Sequence, residues 1–311
     1  MSTDIVENTE NGTTASTRRT AKALPKKTRK AGKAPLTARI LTTTVMATAA
    51  IYFLLPVYWL IVAATKDRAG LFTSSGLWFS DPQLFQNISD VLTFDNGIYL
   101  RWVLNSVIYS AVSAVFATLF SLMAGYCLAK FQFRGRERIF DVILAGVMIP
   151  GTALALPLFL LMTQFGLVNT YWSVLLPSLV SPFGVYLGRI YAKAAIPDTL
   201  LEAARLDGAG EFRTFFTLGL RLMAPVAVTI FLFQFVGSWN NFFLPLIMLS
   251  DRDLYPIILG LSQWRSVADR VPEMYQLTIG GSFISIVPIV IAIVSLQRFW
   301  RAGLVEGSVK G

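Results

Sequence analysis

Five runs without a charged side chain divide the sequence: 40–65, 102–129, 142–188, 222–250 and 274–297. Four of them are 24 to 29 residues long. That is enough for one helix across a hydrocarbon layer of about 30 Å at about 1.5 Å per residue. The run 142–188 is 47 residues long and has to fold back. Its turn is predicted at Gln164-Phe165-Gly166-Leu167-Val168-Asn169-Thr170, where glycine and small polar groups interrupt the apolar pattern. Six membrane-spanning helices are therefore predicted, near 40–64, 103–129, 141–163, 171–189, 222–249 and 276–297.

Composition agrees with an all-α integral membrane protein. Of 311 residues, 54% are hydrophobic and 14% charged, against about a quarter charged in a soluble globule. The chain has no histidine, and Cys127 is its single cysteine. A disulfide within the chain, a thiolate metal cage and histidine-based catalysis are thereby excluded, and no metal site or catalytic residue is expected. The net charge of +9 reads as topology. Twenty-one lysines and arginines fall in 1–39, 130–141, 189–221 and the C-terminal tail, against six in 66–101 and 251–273. The strict alternation predicts both termini in the cytoplasm. Residues 1–38, with Arg18, Arg19, Lys22, Lys26, Lys27, Arg29, Lys30 and Lys33, read as a disordered basic cytoplasmic tail. The first helix then acts as an uncleaved anchor.

What the predicted spans lack narrows the function. Away from their ends they hold no Asp, Glu, Lys, Arg or His, which argues against proton-coupled transport and intramembrane aspartyl proteolysis. No potassium-filter sequence and no phosphate-binding Gly-rich loop occurs either. Active transport would therefore draw its energy from another polypeptide. The spans do carry helix breakers, at Pro150, Pro157, Pro177, Pro182, Pro225, Pro245 and Pro288. The fifth carries the densest polar cluster: Gln234, Ser238, Trp239, Asn240, Asn241 and Phe242. Amides and aromatic rings together suit a sugar, whose hydroxyls and C–H faces they can meet. Packing between helices is the other reading of the same residues.

The 189–221 loop is the most informative segment. After Pro197, Asp198 or Thr199 is predicted to cap a short helix over 199–206. Gly208 and Gly210 then allow a sharp turn, and Glu211–Phe216 can start a second helix. Glu202-Ala203-Ala204, three residues, then Gly208 resembles the signature of membrane subunits of binding-protein-dependent ABC importers. Leu55-Pro56-Val57-Tyr58-Trp59, Trp102-Val103-Leu104-Asn105-Ser106, Trp239-Asn240-Asn241-Phe242 and the terminus from Gln297 to Gly311 resemble the six-helix permease of its maltose and multiple-sugar branch. Arg221 departs from that pattern, standing where the family has proline.

The resemblance implies an ABC type I importer permease fold spanning 39–311, with a coupling loop near 190–221. Its implied task is carbohydrate import across a prokaryotic plasma membrane. A glycerophosphodiester or polyol phosphate is the alternative cargo. Implied partners are a homologous second permease subunit, two ATPase subunits that bind ATP and Mg, and an extracytoplasmic solute-binding protein. The chain itself would hold no cofactor and would not be an enzyme. Glu202, Ala203, Ala204, Asp207 and Gly208 would meet an ATPase subunit. Tyr255, Gln263, Trp264 and Arg265 would touch the binding protein.

Overall fold

A computed structural model describes residues 35–308. In chain order its helices are α1 (Leu36–Thr65), α2 (Arg68–Thr73), α3 (Leu84–Thr93), α4 (Ile98–Lys130), α5 (Arg136–Val147), α6 (Gly151–Gln164), α7 (Tyr171–Ser178) and α8 (Pro182–Ala195). There follow α9 (Asp198–Leu206), α10 (Glu211–Thr214), a π-helical turn (Phe215–Gly219), α11 (Leu220–Leu222), α12 (Ala224–Trp239), α13 (Phe243–Met248), α14 (Ile257–Val267) and α15 (Glu273–Ser308). The basic tail expected at 1–38 lies outside the described residues up to position 34, and helix begins at Leu36. Residues up to Phe53 form a unit of their own, in which every described side chain is exposed.

Among the described residues, four helical segments can by length and composition cross a membrane, or up to six when two bent pairs each count as one span. The bent pairs fall at two of the six helices expected. The third is broken by a 104° bend between α5 and α6, with Pro150 at the start of α6. The fifth is approached through an 80° bend before α12 and ends early, at Trp239. Pro225 sits in the first turn of α12, where a missing N–H leaves no bond unmade. Arg221 lies within α11 and does not interrupt it.

Within the unit that begins at Leu54, α4 packs against α8 and α12. The α4–α8 seam is made by small residues. A Cβ on Gly125 would lie 2.6 Å from the backbone of Gly188 and Arg189, and one on Gly188 would lie 2.9 Å from the Ser121 carbonyl oxygen. The two backbones meet only because neither carries a side chain there. Aromatic packing fills the other end of α4. Trp102 and Tyr99 are fully buried, with Trp264 from α14 4.9 Å from the Trp102 ring, centroid to centroid.

Polar groups close the connections. The predicted turn at 164–170 lies between α6 and α7, with Gly166 at φ +64° and Asn169 at φ +60°. The Asn169 side-chain oxygen accepts from the N–H groups of Ser250 and Asp251, both at 2.9 Å, tying this turn to the segment after α13. After α1, Lys66 is only 2% exposed. Its ammonium donates to Ser74 Oγ at 2.9 Å and the Ser75 carbonyl at 2.6 Å. Asn87 donates to the Ala64 and Lys66 carbonyls and accepts from Gln276, joining α1, α3 and α15. A buried charge persists only with such partners.

Candidate functional site

The elbow between α8 and α12 is built around Gly208. In α9, Leu201 and Ala204 turn inward, while Glu202, Ala203 and Asp207 are exposed. The helix ends in a Schellman motif: Gly208 N–H donates to the Arg205 carbonyl at 3.0 Å, and Ala209 N–H to the Ala204 carbonyl at 2.9 Å. Gly208 has φ +77°, the left-handed conformation that glycine adopts freely. Across the turn Arg205 donates to Glu211 at 2.7 Å. Beyond it, Phe215 packs on Tyr126 of α4, their centroids 5.2 Å apart.

The expected cap is absent. Pro197 occupies the N-cap position of α9, and neither Asp198 nor Thr199 bonds the open N–H groups. Asp198 instead accepts from Lys130, at the end of α4, at 2.8 Å. An ammonium within reach makes a stronger, charge-assisted bond than a backbone N–H. Lys130 holds the Asp198 carboxyl below its ordinary range, first through this hydrogen bond and then through its charge. A depressed carboxyl contributes stability above its unfolded pKa of about 3.9 and loses it as pH falls through the folded value. The link is therefore complete at neutral pH.

Sequence reasoning passed over two residues of this elbow. Leu206 is 89% exposed and Phe212 is 74% exposed. Two large apolar side chains flanking Gly208 were a readable signal, since an elbow facing only water has no use for them.

The α12 cluster divides. Pro182 has no N–H, so the Ser178 carbonyl four residues earlier lacks its helical donor; the Gln234 amide supplies one at 2.9 Å. Trp239 is 1% exposed and stacks along Phe235. These two residues are engaged inside the fold. Asn240 and Asn241 sit where helix gives way between α12 and α13. Asn240 is exposed and bonds back to the Val236 carbonyl at 2.8 Å. Asn241 accepts from the Leu244 N–H at 3.4 Å, and it, Ser238 and Phe242 are half-buried.

In the 251–273 segment the four expected contact residues do not share a surface. Trp264 is 3% exposed, between Trp102, Tyr99 and Phe94, and Tyr255 is 9% exposed. Both side chains are core, because α14 folds back over the start of α4, and they are not offered to another chain here. Gln263 is half-buried and Arg265 is exposed.

The fold matches a crystal structure of a bacterial ABC transporter involved in the import of the acidic polysaccharide alginate. The TM-score is 0.75 over 85% of this chain and 96% of that one, at 21% identity. In sequence the chain is 38% identical over 257 residues to the arabinooligosaccharides transport system permease protein AraQ of Halalkalibacterium halodurans, covering 82% of this chain and 91% of that one. It is 34% identical to AraQ of Bacillus subtilis over 88% of this chain and 96% of the relative. The lactose transport system permease protein LacG of Rhizobium radiobacter is 31% identical over 87% and 96%. These relatives are transport permeases and not enzymes. Residues 117–302, which include the Gly208 elbow and the α12–α13 break, match the family of binding-protein-dependent transport system inner membrane components, and the chain belongs to that family.

Proposed function

We propose that this chain is the six-span permease subunit of an ATP-driven importer that carries an oligosaccharide or related sugar into the cytoplasm. The observation that carries the sugar reading is the 38% identity to an arabinooligosaccharide permease over most of both chains. In this reading the chain pairs with a homologous permease, and two ATPase subunits bind ATP and Mg on the cytoplasmic side. An extracytoplasmic solute-binding protein delivers the cargo. Glu202, Ala203, Asp207 and Gly208 form the ATPase-facing surface, joined by Leu206 and Phe212. All six are exposed, which suits a surface awaiting a partner. Ala204 underlies them from the buried side.

The test is uptake of labelled oligosaccharides by the reconstituted complex. Uptake should need ATP, the binding protein and this chain. Uptake that survives removal of the chain would sink the proposal, and sugar-independent uptake of a polyol phosphate would redirect it. Asn240 and Asn241, at the break after α12, are the residues we assign to the sugar path. Asn240→Ala and Asn241→Ala are expected to lower uptake about tenfold while the complex assembles and still hydrolyses ATP when stimulated by the binding protein. Normal transport by both variants would return these amides to packing.

Both termini belong to the cytoplasmic side in this reading, on the strength of 21 basic residues against six. Reporter fusions after Gly311 and within 251–273 should give opposite signals. A fusion after Gly311 that reports the outer side would overturn the orientation.

A further inference from the structure

We infer that Lys130 is a positioning residue that clamps the coupling helix α9 to α4, making α4 the strut that links the elbow to the 252–257 segment at its other end. The inference rests on the coupling role proposed above for the elbow. It begins with the two ends of one helix.

At the elbow end, the Lys130 side chain is 5% exposed. Its ammonium donates to the Ile196 carbonyl at 2.5 Å and to Asp198 Oδ1 at 2.8 Å. These two acceptors bracket Pro197, the entry to α9. A buried ammonium that loses both partners leaves an uncompensated charge, so the clamp resists slipping as α9 is pushed. Below it, the Tyr126–Phe215 contact adds a second point of attachment between α4 and the elbow.

At the far end, five side chains of α4 bond backbone groups of one segment, Arg101 among them through the Asp253 carbonyl at 3.2 Å. Trp102 Nε1 donates to the Arg252 carbonyl at 2.9 Å. Asn105 donates to the Asp253 and Tyr255 carbonyls at 2.8 and 3.0 Å. Tyr109 donates to the Leu254 carbonyl at 3.0 Å, and Ser106 Oγ accepts from the Ile257 N–H at 2.7 Å. Trp102 and Lys130 are 28 residues apart on one unbroken helix, about 42 Å at 1.5 Å per residue. Other spans in this chain are interrupted: the third by a 104° bend and the fifth by an 80° bend. The α4 helix has no proline inside it, and it is pinned at both ends.

The experiment uses the assembled complex in a background otherwise free of cysteine. Native Cys127, in the last turn of α4 and exposed, carries one spin label. Thr199→Cys, exposed on α9 and outside the ATPase-facing surface, carries the other. With Lys130 present, the distance between them should stay the same in the nucleotide-free and ATP-trapped states, because α9 and α4 move as one body. In Lys130→Met the distance should differ between the two states, and sugar imported per ATP hydrolysed should fall at least tenfold. Lys130→Arg, which keeps a donor, should restore most of that ratio. A label distance that changes between states while Lys130 is present would overturn the clamp. This outcome is readable even if Lys130→Met fails to assemble. Failure of the ATPase subunits to co-purify at all would instead sink the coupling role of the elbow.

Discussion

Uptake should be lost in both Gly208→Val and Glu202→Lys, for different reasons. Gly208 has φ +77°, and a Cβ placed there would meet nothing within 4 Å. The penalty is therefore purely one of backbone conformation. Left-handed geometry costs an L-residue about 1–2 kcal/mol, and a β-branched one is a stronger misfit. Valine would unwind the Schellman turn and re-aim α10 relative to α9. Asparagine, which visits this region more readily, should retain more uptake than alanine, and alanine more than valine. Glu202 is exposed on α9 and within the chain meets only the charge of Arg205, through space and without an ion pair, so its reversal to lysine should leave the fold intact and weaken ATPase docking. Co-purification of the ATPase subunits, measured beside uptake in cells, separates the two effects. Wild-type docking and uptake in both variants would mean that the elbow is not the coupling element.

The second large effect concerns assembly of the helices. Gly125→Ala should destabilise the protein by about 1–3 kcal/mol, the usual cost of forcing atoms into a packed contact. The new methyl would lie 2.6 Å from Gly188 C and Arg189 N, both backbone atoms that no rotamer change can move. Gly188→Ala should behave alike. Gly151→Ala is the control, since a Cβ there meets nothing within 4 Å. Thermal unfolding of the detergent-solubilised complex gives the comparison. Equal midpoints for Gly125→Ala and Gly151→Ala would show that the α4–α8 seam can open at no cost.

Features written locally were legible in the sequence. Charge-free runs mark the apolar helices, and the Gly166–Asn169 turn appears as a break in the longest run. Gly208 announces a left-handed residue through its place after a run of helix formers. Features that depend on distant partners were not legible. Asp198 looks like a cap until Lys130 arrives from 68 residues away. The α5 half of the bent third span is tied to α8 by Arg189, which grips both Glu137 oxygens at 2.6 and 2.7 Å and lies 3.9 Å over the Phe140 ring. Gln234 looks like a pore amide until Ser178, opened by Pro182, claims it. Trp264 and Tyr255 sit in a loop by sequence but in the core by packing. Leu206 and Phe212 were legible as large apolar side chains on either side of a glycine turn, and their exposure depends only on that local turn.

The Lys66 knot has a consequence for the surface chemistry of the chain. An amine reacts with acylating reagents through its lone pair, and Lys66 has both its proton-bearing nitrogen buried and two acceptors holding it. Lys193, on α8, is exposed and has no such shelter. Amine acylation read peptide by peptide thus carries its own internal reference. Lys193 reports reagent delivery, while Lys66 stays silent until the joint between its ammonium and the Ser74–Ser75 segment after α2 comes apart. Native lysines thereby time the opening of that joint with no foreign label in the protein.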